Sequence, residues 1–175
     1  MKRKSIYHIA LTALLAAMTL VMILYARINV GYGWLHLGDA VILLAAVLLP
    51  TPYAMAVGAI GGGMANLIGG AVMWAPATVV IKAAITLPLS AKQDKLMTKR
   101  NLLALLPYVA ITIIGYGLYQ WLLISFGTIS APDGVWVAIT ANLLSDLVQA
   151  TASAALFIIV ASVLEKTKFK QRLGL

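Results

Sequence analysis

Apolar residues in this chain come in long runs with few interruptions. Two of them cover residues 9–26 and 40–49, and others follow to the C-terminal tail. The runs do not alternate polar with apolar, so they predict helices and not the strands of a closed barrel. The first run predicts a helix over residues 8–27. Residues 28–38 read as a loop, with Gly31, Gly33 and Gly38. A second helix over 39–49 is broken by Pro50-Thr51-Pro52. It rises only about 17 Å, so it is short or tilted. The third helix, 53–68, carries Gly58, Gly61, Gly62, Gly63 and Ala65. Gly58 and Gly62 lie four apart on one face, a close-packing pattern that puts this helix inside the bundle. Gly69-Gly70 marks a turn. Pro76 stands at the tolerated start of a fourth helix, 76–91. A polar segment, 92–100, separates it from a fifth helix at 102–125. A loop with Gly127, Pro132, Asp133 and Gly134 leads to a sixth helix at 135–164 and a basic tail at 166–172.

Composition turns this series into a membrane protein. Of 175 residues 62% are hydrophobic and 10% charged, with mean hydropathy +0.98. Such a chain lacks the polar surface to face water all round. The expectation is one all-α domain over residues 1–175, an integral membrane bundle of six transmembrane helices. Lys2-Arg3-Lys4 before an apolar run resembles a secretory signal, but the run continues without a clear cleavage site, so an uncleaved first helix is expected. With no cysteine, disulfides and thiolate metal sites are excluded.

The net charge of +8 would suggest nucleic acid as partner in a soluble chain. Here the basic residues stand at the ends of apolar runs, so they set orientation and no nucleic acid is implied. Eleven of the thirteen basic residues fall in 2–4, 92–100 and 166–172, leaving Arg27 and Lys82. That asymmetry predicts both termini in the cytoplasm. It predicts the stretch Trp34-Leu35-His36-Leu37-Gly38-Asp39 outside, together with 69–75 and 126–134.

Polar groups inside membrane helices are costly and need a reason. Lys82 and Asp146 are the ionisable ones, and two readings stand: a structural ion pair between them, or a polar pocket that opens outward. Asn142, Ser145, Asp146, Gln149 and Ser153 recur at spacings of three and four, a stripe on one face of the sixth helix. Tyr116 and Gln120 lie four apart on the fifth. Asn66, Trp74, Trp34 and His36 come to the same level. The expected substrate-binding set is therefore Trp34, His36, Asn66, Trp74, Lys82, Tyr116, Gln120, Asn142 and Asp146. It suits a small, largely neutral ligand with hydrogen-bonding groups and an aromatic ring. Asp39, after Gly38, is expected to cap the second helix and anchor the loop. Trp121, Trp136 and Tyr108 are expected to be belt anchors at the membrane interface.

No metal-ligand spacing appears, since His8 and His36 are the only histidines. The glycines at 61–63 lack the Lys-Ser/Thr of a phosphate loop. No cofactor, catalytic residue or enzymatic activity is expected, and uphill transport would draw its energy from a partner or a coupled ion. Ala13 and Ala17 lie four apart and allow close helix approach. Internal packing and a docking face for a partner protein both fit them.

Several motifs together resemble the S component of an energy-coupling factor (ECF) vitamin transporter. They are Ala13-xxx-Ala17, then Leu35-His36-Leu37-Gly38-Asp39-Ala40-Val41, then Val57-Gly58-Ala59-Ile60-Gly61 with Ala65-Asn66, then Trp74-Ala75-Pro76-Ala77-Thr78-Val79-Val80-Ile81-Lys82. The resemblance runs over most of the chain. It is nearest to hydroxymethylpyrimidine/pyridoxine-type members, with riboflavin-type members close in pattern. It implies a substrate-specificity subunit in the prokaryotic plasma membrane that binds a vitamin from outside. Its partners would be a transmembrane coupling protein and two cytoplasmic ATPase subunits, which alone use ATP. It further implies that Ala13 and Ala17 face the coupling protein and that residues 29–38 gate the site. Asn66 stands where relatives often carry an acidic residue. The reading of a different class is a self-sufficient ion-coupled carrier, against which 175 residues show no inverted repeat. A ligand-free scaffold subunit would leave the outer polar cluster without a use.

Overall fold

The computed structural model describes residues 2–30 and 33–174. Gly31, part of the expected loop, lies outside the described residues. Helices dominate: α1 Lys2–Tyr25, α2 Gly38–Leu48, α3 Thr51–Ile68, α4 Ala75–Ala84, α5 Lys99–Leu103, α6 Leu105–Ser125, α7 Val135–Lys166 and α8 Phe169–Arg172. Among the described residues, three stretches are long and apolar enough to cross a membrane: Ser5–Tyr25, Lys99–Ser125 and Val135–Lys166. α2 is apolar but shorter, as is Val72–Ala84.

Two elements differ from the sequence expectation. The stretch after α1 contains an antiparallel hairpin, β1 Arg27–Val30 with β2 Gly33–His36, its register pairing Arg27 with His36 and Asn29 with Trp34. The first strand, Arg-Ile-Asn-Val, supplies the β-branched Ile28 and Val30. The fourth helix stops at Ala84, short of residue 91, and passes into turns. Pro88 explains this. It lacks a backbone donor and disfavours helical geometry in the residue before it.

Glycines set the packing around α3. A Cβ on Gly61 would come within 2.8 Å of the Ala16 carbonyl and of Thr19 Cβ on α1. A Cβ on Gly58 would run into the Lys82 carbonyl on α4. α3 therefore lies backbone to backbone between α1 and α4, as the glycine spacing predicts. On α6, Gly115 meets Ile81 of α4 and Gly117 meets Leu143 of α7. The short α2 sits in the middle, and Ile42, Leu43, Ala45, Val47 and Leu49 have no exposed surface. Large apolar side chains cover the outside instead, Ile9, Leu14, Met18, Leu106, Leu118 and Ile159 among them. That inversion suits a hydrocarbon surround.

At the end of the bundle away from the hairpin, Lys170 of α8 is 4% exposed. Its ammonium donates to the carbonyls of Val47 at 3.2 Å, Ala91 at 2.5 Å and Gln93 at 2.6 Å. Glu165 accepts from the Met97 amide at 2.7 Å. The basic tail and the polar segment 92–100 thus meet at the end of α2, where a cation satisfies a helix-terminal carbonyl.

Candidate functional site

α4 supplies the charged floor of the site. Lys82 Nζ lies 2.7 Å from Asp39 Oδ1 and donates to Oδ2 at 2.8 Å. The Tyr108 hydroxyl of α6 donates to the same Oδ2 at 3.2 Å. All three side chains are buried. Two expectations are corrected here. Asp39 does not cap α2: the N-cap is Leu37, which makes no side-chain cap bond, and the Asp39 carboxylate turns inward to the ammonium. The buried Lys82 cation needs compensation, and the Asp39 carboxylate supplies it at the expense of the weaker capping bond. Tyr108 is not a belt anchor, for its ring has no exposed surface and its hydroxyl serves Asp39. Trp121 and Trp136 do point outward, 48% and 76% exposed.

The ion pair suspected between Lys82 and Asp146 is also absent, since no contact within 4 Å joins them among the described residues. Asp146 instead accepts from Asn142 Nδ2 at 3.1 Å, one turn earlier on α7. Lys82 has a second neighbour in the Tyr116 ring, whose centroid is 5.2 Å from Nζ.

Above this floor lies a cavity of about 240 Å³. Trp34 and His36 reach it from the hairpin, Asn66 from α3, Trp74 from the short 3₁₀ turn Val72–Trp74, and Lys82 from α4. Tyr116 of α6 and Asn142 and Asp146 of α7 complete the expected group. Eight of the nine expected substrate residues thus share one cavity. The ninth, Gln120, does not line it. It stands one turn beyond Tyr116 and donates to the Ala138 carbonyl at 3.2 Å, closing the gap between α6 and the start of α7. Gly38 lies in the first turn of α2, where a Cβ would come 2.5 Å from Ile23 Cγ1. Its missing side chain lets α1 and α2 meet behind the hairpin. Ala13 and Ala17 lie on the exposed face of α1, while Thr12, Leu15, Ala16 and Thr19 of the same turns are buried.

Thr78 and Gln149 also line the cavity, though neither belongs to the expected substrate-binding set. Thr78 accepts from Asn66 Nδ2 at 2.6 Å and from the Tyr116 hydroxyl at 3.2 Å. Both had a signal. Thr78 precedes Lys82 by four residues, so the two share a helix face, and Gln149 belongs to the polar stripe of α7.

Aromatic groups close the mouth. Trp74 packs against Tyr116 and Tyr119, at centroid distances of 6.2 Å and 5.7 Å. The Tyr119 hydroxyl donates to the Met73 carbonyl at 2.7 Å. On the hairpin, the Arg27 guanidinium lies 3.7 Å from the Trp34 ring centroid. His36 Nδ1 is buried without a hydrogen-bond partner. Burial, with the nearby Lys82 charge, holds the His36 imidazole down to about 4. It therefore stands neutral at the cavity wall near pH 7. Among the described residues no three His, Asp or Glu side chains come close enough to hold a metal ion.

Three comparisons bear on this arrangement. A family model described as "ECF-type riboflavin transporter, S component" matches residues 3–166. No curated protein matches. Among solved structures, one described as "Structure and mechanism of the S component of a bacterial ECF transporter" superposes with a TM-score of 0.73. The match covers 95% of this chain and 98% of that one at 15% identity, a likeness of fold.

Proposed function

The chain belongs to the family of ECF-type transporter S components, and from that premise we propose that it captures a small, single-ring B vitamin outside the cell. Pyridoxine or hydroxymethylpyrimidine fits best. The observation that carries this reading is the cavity: about 240 Å³, below the roughly 300–1,000 Å³ usual for drug-sized ligands. Its chemistry suits a planar ring with polar substituents. Trp74 and Tyr116 offer ring faces, Lys82 a cation, and Asp146 and neutral His36 acceptors.

Riboflavin is the second reading, supported by the description of the family model over residues 3–166. Its larger ring system would require the hairpin to stand further from α4. Titration calorimetry of the purified protein with pyridoxine, hydroxymethylpyrimidine and riboflavin separates the two. Tight binding of riboflavin alone replaces the first reading with the second. Binding of none of the three overturns both.

The rest of the reading follows the charges. Six passages with both termini in the cytoplasm put the segments around Lys92–Arg100 and Lys166–Arg172 on the cytoplasmic side of the cell membrane and the hairpin outside. The family works with a transmembrane coupling protein and ATPases, which supply the energy. Ala13 and Ala17, exposed on α1, are the face that meets the coupling protein. Uptake that persists without the ATPases would favour an ion-coupled carrier instead.

A further inference from the structure

Threonines in the long helices of this protein return their hydroxyl proton to their own helix. Thr12 donates to the His8 carbonyl, Thr19 to Leu15, Thr112 to Tyr108, Thr140 to Trp136 and Thr151 to Leu147, each one turn earlier. This is the default for a hydroxyl on an apolar helix, which has no other acceptor in reach. Thr78 of α4 departs from it. Its hydroxyl makes no bond to the carbonyl one turn back, and its oxygen accepts from Asn66 at 2.6 Å and from Tyr116 at 3.2 Å.

A hydroxyl has two acceptor positions and one proton. Both acceptor positions of Thr78 are filled, by side chains from α3 and α6. The proton has no acceptor among the described residues, and Thr78, 4% exposed, lines the cavity. With both lone pairs taken, the proton is left to turn to the cavity that Thr78 lines. Lys82 lies one turn further on, roughly 6 Å along the helix axis. The face of α4 therefore presents two donors to the cavity, while α7 opposite presents the Asp146 carboxylate.

We propose that Thr78 is a specificity-determining donor, which reads an acceptor oxygen or ring nitrogen on the cargo and is oriented for this by Asn66 and Tyr116. The proposal rests on the reading that this cavity holds the cargo. A ligand with a donor-only N–H at that point meets the Thr78 proton head on and leaves two donors unpaired. A ligand with an acceptor there takes up the Thr78 proton. The preference comes from a hydroxyl whose lone pairs Asn66 and Tyr116 already occupy, so that a cargo without an acceptor there gains nothing from its proton.

The test compares Thr78→Ser, which keeps the hydroxyl, with Thr78→Val and Thr78→Ala, which remove it. The dissociation constant is measured for whichever of pyridoxine, hydroxymethylpyrimidine and riboflavin binds the wild-type protein. Thermal unfolding without ligand establishes that each variant is folded, and alanine serves if valine is not. Thr78→Ser is expected within threefold of wild type and the hydroxyl-free variants at least about tenfold weaker. Equal affinity of a folded Thr78→Val or Thr78→Ala variant overturns the role of Thr78 and leaves the cargo reading standing. If the wild type binds none of the three vitamins, the cargo reading fails. The small molecule that co-purifies, quantified by mass spectrometry, then decides. Loss from Thr78→Val with retention by Thr78→Ser supports the assignment, and equal retention overturns it. A wild-type protein that binds and carries nothing overturns both.

Discussion

Lys82 on α4 and Asp39 on α2 form a buried pair, with Nζ 2.7 Å and 2.8 Å from the two carboxylate oxygens and exposures of 1% and 0%. Forty-three residues separate them in sequence. The pair joins the two short central helices directly beneath the cavity, and the Tyr108 hydroxyl adds a third element to the joint.

Removing one partner strands the other charge in an apolar interior. Asp39→Ala and Lys82→Ala are each expected to destabilise the protein by about 3–5 kcal/mol. The double variant Asp39→Leu with Lys82→Met should recover much of that loss, because no bare charge remains. Thermal unfolding in detergent measures all three. Single variants as stable as wild type would show that water reaches the pair.

Gly58 gives a second prediction. Its missing side chain is what lets α3 touch the Lys82 carbonyl. Gly58→Ala should push α4 away from α3, at a cost of about 1–3 kcal/mol, and should displace Lys82 from the cavity floor. Unfolding and vitamin binding should suffer together. Ala59→Gly, one residue away, should lose at most about 1 kcal/mol through helix propensity and keep its binding.

On α1, Ala13 and Ala17 are exposed while the opposite face of the same turns is buried. Leucine at both positions should therefore leave folding and vitamin binding intact. Transport and co-purification with the coupling protein should be lost. Loss of vitamin binding in the isolated variant would assign the two alanines to internal packing.

Acid should weaken the fold through His36. Its imidazole has an ordinary value near 6.5 and a folded value of about 4. Between those values the unfolded chain binds a proton that the folded chain refuses, so stability falls as pH drops from about 6.5 towards 4. Above 6.5 and below 4 this group contributes no slope. The full effect is at most about 3 kcal/mol, and His36→Gln should remove it. Unfolding midpoints of wild type and variant across pH 4–8 provide the check, and parallel curves would exclude His36 as the source.

Much of the site was readable because membrane helices make polar residues conspicuous. Lys82 and Asp146 stand out against an apolar background, and helical spacing groups Asn142 with Asp146 on one face. The hairpin was less readable, since strands of four residues are too short for a periodic signal. Gln120 stands outside the cavity for a related reason. A spacing of four gives a shared face but not which turn of that face stands level with the cavity, and Gln120 lies one turn too far along.

Sequence alone determined the class of the molecule. An apolar share of 62% with basic residues gathered at the ends of apolar runs leaves no soluble solution, and the glycines of α3 dictate a close helix contact wherever that helix packs. Partnership was decided by tertiary structure. The sequence offers Lys82 two carboxylates, Asp39 at the start of the second apolar run and Asp146 within the sixth helix, and nothing local chooses between them. The choice falls to Asp39 because Gly38 and Gly58 let α1, α2, α3 and α4 approach until carboxylate and ammonium meet. Asp146 is thereby left to Asn142 and the cavity. Electrostatic pairing in a low-dielectric interior depends on ångström-scale approach, and that distance is set by packing between segments far apart in the chain.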